Sequence, residues 1–416
     1  MRTVNRFIPD FPKSIFNVLI PKGSLFRGLK ISALKISGFF RHSQRNRRVM
    51  KANGCNSRQE SPTESANNLW RKENIMNNKI ENKMTESDAT VDRIENTCAE
   101  RDNIIRGLLF NRTVNVIAVS GREIVETARK IHGTSRVCTA ALGRMLLAVS
   151  MMSAQLKSET DSITATIAGG GPAGNITVVG HMGGIVKGCI TNPEVELPLN
   201  EFGKLDVSGA VGGSGELRVI RDLSLREPYV GRCELIDGEI ADDFANYFYT
   251  SEQQPSLVYL GVRVEPQQGI VRSAAGLIIA PLPDCPESDI IRLEQLTGKI
   301  AKLSQHMDDG ETLESALNAL FEGMEFEITD TLCPAYRCDC SRERLERVIM
   351  SLGENELKDI IENDGKAELV CSFCQTKYVF NEDELRALLE EAQTGGNDSD
   401  EISADLAVAI NECGNE

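Results

Sequence analysis

The chain has 416 residues, 41% hydrophobic and 26% charged, enough to bury the cores of two domains and ordinary for a soluble globular protein. Its twelve cysteines include eight scattered ones (Cys55, Cys98, Cys138, Cys189, Cys233, Cys285, Cys333 and Cys413), which make no secreted disulfide framework and point to a reducing, cytoplasmic setting. The formal net charge is −15, and residues 1–59 hold thirteen Lys or Arg against the single acid Asp10, so the rest is more acidic still and repels nucleic acid as a partner.

Residues 1–101 read as a disordered or targeting extension. The basic, acid-poor start fits an organelle transit peptide, which would place the protein in a matrix or stroma. Translation from Met50, Met76 or Met84 fits equally, with the preceding residues a non-native extension. No uncharged apolar run reaches the eighteen or so residues of a membrane span, because Val137 to Leu156 is interrupted by Arg144. No membrane partner is expected.

A core domain is expected over 102–286. Ile124, Val125 and Ala128 predict a helix from Arg122 to Ile131, with Gly133 placed as its C-cap. Thr134 or Ser135 then caps a second helix running to about Lys157, whose buried stripe is Leu142, Met145, Leu146 and Val149. From Ser162 the period changes to two: SITATIAGGG, NITVVGHMGG, IVKGCI and GELRVIRD predict short strands separated by glycine turns. Ile240 to Tyr249 returns to helical spacing, and Leu257 to Val264 and Gly269 to Pro281 predict two more strands. Helices segregated from meandering strands make an α+β domain with an antiparallel sheet.

The PLPDCP stretch at 281–286 marks a boundary. A helical linker is expected over 287–335, with one apolar stripe at Ile291, Leu293, Leu296, Ile300 and Leu303 and another at Leu313, Ala316, Leu317, Leu320 and Phe321. Such helices pack on a neighbour; in a protein that exposes hydrophobic surface on command they are a natural store of it. A small cysteine-bearing domain follows at 336–390, and then an acidic, solvated tail at 391–416.

That small domain holds Cys338-Asp-Cys340 and, thirty residues on, Cys371-Ser-Phe-Cys374. Zn²⁺ takes four thiolates in a tetrahedron, and two close pairs of cysteines supply them. The segment between reads as two helices, Arg342 to Met350 and Glu354 to Glu362, while Glu368 to Val370 and Tyr378 to Phe380 read as strands around the second pair. So small a unit with few apolar residues needs a staple. Two structural disulfides or four unconnected thiols are the alternatives, and Cys333 is a rival ligand followed by Pro334. A four-cysteine site is either structural or sensitive to oxidants, since thiolate is the reactive form. If oxidation joined Cys338 to Cys340 and Cys371 to Cys374, a metal would lose every ligand.

Together, CDCSRERLERVIMSLG, CSFCQTKYVF, LIDGEIADDFANYFYTSEQQPS and TATIAGGGPAGNITVV resemble the 33 kDa chaperonin family of redox-regulated heat-shock holdases, over about residues 103–390. The resemblance implies a non-enzymatic, ATP-independent chaperone that binds unfolding client proteins under oxidative stress and holds them for refolding. It implies one zinc on Cys338, Cys340, Cys371 and Cys374 in the inactive reduced state. It further implies disulfides Cys338–Cys340 and Cys371–Cys374 with zinc release on activation, loosening of the linker, and a homodimer when oxidised.

Other patterns point elsewhere and are set aside. Gly169, Gly171 and Gly174 match a dinucleotide fingerprint, but a strand follows where phosphate binding needs a helix. Cys371-Ser-Phe-Cys374 as a thiol oxidoreductase motif would open a helix, and here strands flank it. A nucleic-acid-binding zinc ribbon is opposed by the module's acidic surroundings. His132 and His181 read as structural histidines and His306 as solvated. Asp242 and Asp243 read as acids in the first turn of a helix.

Overall fold

A hairpin that the sequence reading did not anticipate opens the part of the chain described by the computed structural model, residues 102–394. The expected extension at 1–101, the tail from 395 onward, and Cys55, Cys98 and Cys413 lie outside the described residues. Strands β1 (Asn103–Leu109) and β2 (Val114–Ser120) are joined by Phe110, Asn111 and Arg112, all with positive φ (52, 54 and 68°). Helices α1 (Arg122–His132) and α2 (Arg136–Ser153) follow. The Asp102 carboxylate accepts from Glu123 N and Ile124 N at 3.0 and 2.7 Å, capping α1, and Gly133 ends it in the left-handed region (φ 62°). Ser135 caps α2 by accepting from Cys138 N at 3.2 Å.

Then come β3 (Ser162–Ala168), β4 (Ile176–His181), β5 (Ile185–Ile190), the short α3 (Val207–Val211), β6 (Glu216–Asp222), β7 (Tyr229–Glu234), α4 (Ala241–Thr250), β8 (Leu257–Val264) and β9 (Val271–Pro281). Gly169 to Gly174 forms the turn between β3 and β4, with Gly170 and Gly174 at positive φ, so the glycine fingerprint is a hairpin and no helix N-terminus follows it. The linker region contributes α5 (Glu287–Glu294), α6 (Thr297–Ile300), α7 (Leu303–Asp308) and α8 (Leu313–Leu320), but it ends in strands, β10 (Phe326–Leu332) and β11 (Ala335–Tyr336). Residues 287–335 are therefore not helical throughout. FEITDTL carries the β-branched Ile328, Thr329 and Thr331, and the open edge of β1 supplies the backbone partners that a lone segment lacks. The module comprises α9 (Arg342–Ser351), α10 (Glu354–Asn363), β12 (Lys366–Val370), β13 (Lys377–Asn381) and α11 (Glu382–Thr394), the last another element not anticipated from sequence.

Two sheets enclose α2. One has the order β10-β1-β2-β9-β8, antiparallel throughout; the other has β11-β5-β4-β3-β6-β7, antiparallel except where β11 runs parallel to β5. The helix is 18 residues of bilayer-like composition, yet 89% of it is buried inside the protein. Along β2 and β9 the side chains alternate between two cores. Ile117, Val119, Ala274 and Ile278 face α2, while Val116, Ala118, Ala275, Leu277 and Ile279 face the linker helices. Leu293, Leu296, Ile300, Leu303, Leu313, Leu317 and Phe321 bury their stripe there.

Polar contacts fix the linker to the same sheet. Arg263 and Arg272 both pair with Asp308 at 3.1 and 2.9 Å, and Ser273 Oγ donates to Ser304 O at 2.6 Å. The first-turn acids of α4 also have a definite task. Asp243, fully buried, accepts from Ile236 N at 2.7 Å and Ile240 N at 2.9 Å, tying the preceding loop to the helix start. Asp243→Ala leaves the buried Ile240 N–H and the part-buried Ile236 N–H without this partner and should cost about 2 kcal/mol. A clear fall in the urea unfolding midpoint checks it, and an unchanged midpoint contradicts it.

Candidate functional site

The second cysteine pair sits in the turn of the β12–β13 hairpin. Cys371 N donates to Thr376 O at 3.0 Å and Gln375 N to Cys371 O at 2.8 Å, with Gln375 at φ 58°, so the turn curls both sulfurs to one side. The strands flanking it rule out the helix start that a thioredoxin-type dithiol requires. The first pair follows β11 and ends at Ser341, which caps α9 by accepting from Arg344 N at 3.3 Å. A strand end on one side and a helix cap on the other fix the Cys338-Asp339-Cys340 segment against the hairpin turn.

The four sulfurs lie within 4.8 Å of one another. Cys338 Sγ is 3.7 Å from Cys371 Sγ, and Cys340 Sγ is 3.3 Å from Cys374 Sγ. A zinc–thiolate tetrahedron with Zn–S of about 2.3 Å has edges of about 3.8 Å. The donor set therefore fits zinc in type, number and spacing, and Cys333 is not part of it. Outer contacts support the sulfurs: Tyr378 Oη lies 3.3 Å from Cys340 Sγ, and Thr376 Oγ1 lies 3.2 Å from Cys374 Sγ. As thiols they share protons unequally. The hydrogen bond between them holds Cys371 down to about 5 and raises Cys338, while burial pushes Cys340 up to about 11.

The module has its own core of Leu345, Ile349, Leu357, Ile361, Phe380, Leu385 and Leu388, with the Arg342 guanidinium stacked 4.3 Å from the Phe380 ring. Its cysteine end packs against the six-stranded sheet, where Cys371 and Phe373 bury against Val179 and Cys189. Tyr336 stitches this seam: its hydroxyl contacts Phe373 O at 2.5 Å and Gly188 O at 2.9 Å, and His132 Nε2 reaches both Gly188 O (2.8 Å) and Tyr336 Oη (3.3 Å). Burial lowers the His132 pKa, favouring a neutral imidazole, which makes it a structural histidine of the seam. His306 pairs with Glu311 at 2.8 Å on the half-exposed linker.

A charged group on β5 was not singled out from sequence. Lys187 is buried to 5% side-chain exposure, pairs with Asp339, and lies 5.2 Å from the Phe373 ring centroid. Asp339 also pairs with Arg344. Burial alone would raise the Asp339 carboxyl, but Lys187 and Arg344 hold it well below the usual carboxylate range. Only a strand-interior lysine amid IVKGCI hinted at it, and its partner lies 152 residues away in sequence.

Residues 102–381 match the family model described as Hsp33 protein. The 33 kDa chaperonin of Caldanaerobacter subterraneus subsp. tengcongensis is 43% identical over 292 residues, covering 70% of this chain and 99% of that protein. The 33 kDa chaperonin of Clostridioides difficile is 42% identical over 291 residues, with the same coverage. Among solved structures, the 33 kDa chaperonin (heat shock protein 33 homolog) of Thermotoga maritima superposes with a TM-score of 0.62 at 36% identity, covering 70% of this chain and 99% of that one.

Zinc titration of the reduced chain should saturate at one equivalent. Cys374→Ser should weaken binding beyond the roughly 100-fold that marks loss of an outer-shell partner. Cys333, which is disulfide-bonded in the structure, lies outside this set, and Cys333→Ser should leave zinc binding by the reduced chain unchanged.

Proposed function

The chain belongs to the Hsp33 family and is a chaperone, and on that premise we propose that it is a redox-regulated, ATP-independent holdase for unfolding client proteins, without enzymatic activity. The observation that supports this most is the placement of four thiols within 4.8 Å of one another, at the seam between a small module and the main core. When bound, zinc keeps the four sulfurs deprotonated and ties the two cysteine-bearing stretches together. Cys338, Cys340, Cys371 and Cys374 are its ligands in this reading.

Activation is oxidation of those sulfurs. Each pair of thiolates gives up two electrons and forms one S–S bond; peroxide takes the electrons with two protons and leaves as two waters. The pairs are Cys338–Cys340 and Cys371–Cys374, after which no thiolate remains to hold a metal. The module has few buried side chains of its own and loosens. The linker helices α5–α8 precede the module, joined to it through β10 and β11, and their buried stripe against β1, β2 and β9 is the apolar surface uncovered for clients. The oxidised chain dimerises through the same surface. A reducing compartment, cytoplasmic or an organelle matrix or stroma, keeps the resting state closed.

The purified chain, incubated with a heat-denatured client, should suppress light scattering only after peroxide treatment at mildly elevated temperature, and a thiol reductant should abolish the protection. Equal protection before and after peroxide would remove the switch. No protection in either state would remove the holdase.

A further inference from the structure

We propose that Asp339 and Lys187 form the latch through which the state of the cysteines reaches the core, a role that deepens the redox reading above and rests on it. Lys187 belongs to β5, next to the end strand β11 of the six-stranded sheet, and its side chain is almost wholly buried. A buried ammonium without a counter-charge is strongly destabilising. Among the described residues its ion-pair partner lies outside the core. It is Asp339, which stands between Cys338 and Cys340. The Phe373 ring, between Cys371 and Cys374, lies over the same amine. Each cysteine pair therefore contributes one contact to a single core lysine.

The order of residues makes the latch sensitive to sulfur chemistry. Cys338 and Cys340 now reach Cys371 and Cys374 across the site, at 3.7 and 3.3 Å. Their two sulfurs already lie within 4.8 Å of each other, so bonding them at about 2.05 Å draws the two side chains together and tightens the Cys338-Asp339-Cys340 segment. Asp339 stands between them and moves with them. Lys187 then remains buried without its carboxylate, and the low-energy way out is hydration, which requires the module to leave the sheet. The latch converts an S–S bond into undocking. Arg344, on the first turn of α9, holds the other side of Asp339, so the movement also reaches the module's helices.

The latch can be opened without touching a thiol. Asp339→Asn, in the full reduced chain, should keep one zinc per chain yet expose residues 185–190 and 336–337 to amide hydrogen exchange about tenfold faster than wild type. The double variant Lys187→Met with Asp339→Asn removes the buried charge as well and should restore wild-type protection of those segments. A merely structural role for Asp339 predicts no such rescue. The proposal is overturned if Asp339→Asn keeps the seam protected, if it loses zinc, or if the double variant exchanges as fast as the single one. Client protection is read in the same samples and should appear in reduced Asp339→Asn without oxidant. An open seam together with absent protection by oxidised wild type would sink the holdase reading and leave the latch. Oxidant-dependent protection by wild type with a closed Asp339→Asn seam would do the reverse.

Discussion

Four sulfur atoms converge where two distant stretches of chain meet, and on the proposed reading the C-terminal fifth of the described structure depends on that convergence. The module behind them buries few large side chains among three helices and a two-stranded hairpin. A hairpin and short helices do not hold such an arrangement unaided, and a four-thiolate metal site contributes folding free energy of about 10–16 kcal/mol. The convergence also sets the docking surface. Cys371 and Phe373 present one apolar face to Val179 and Cys189, and Asp339 is held where Lys187 needs it.

The linker makes this small junction matter to the rest of the molecule. Helices α5–α8 cover one face of the five-stranded sheet while α2 covers the other, so β2 and β9 are buried on both sides. The chain then returns as β10 on the edge of that sheet and crosses to the second sheet as β11, two residues before Cys338. No long spacer separates the sulfurs from the apolar surface under the linker. On the proposed reading, the surface offered to clients is already built into the resting fold.

Much of this was legible in the sequence. The zinc-type spacing of the four cysteines, the strands from Ser162 and the helix stripe at Leu313 to Phe321 each carry a local signal that the structure preserves, whereas the helix expected to bury one stripe at Leu142 to Val149 is buried almost all round. The first hairpin was not legible, because NIIRGLL and VNVIAVS are buried on both faces and lack alternation. Strand β10 depends on a partner more than 200 residues upstream, which no local window contains. Helix α11 was hidden by the acids of EDELRALLEEAQT, although Leu385 and Leu388 bury its stripe in the module. Lys187 was hidden for the same reason as β10: a strand lysine reads as solvated until its counter-charge arrives from elsewhere in the chain.

On the proposed reading, the four-sulfur junction holds the module folded and docked. Hydrogen exchange of the zinc-loaded, reduced chain, before and after a chelator strips the metal under continued reduction, tests it most directly. Residues 338–394 should lose protection as one unit and β5 should open at the seam, while α2 and the strands around it keep theirs. A module that retains its protection with the metal gone and all thiols reduced would contradict it.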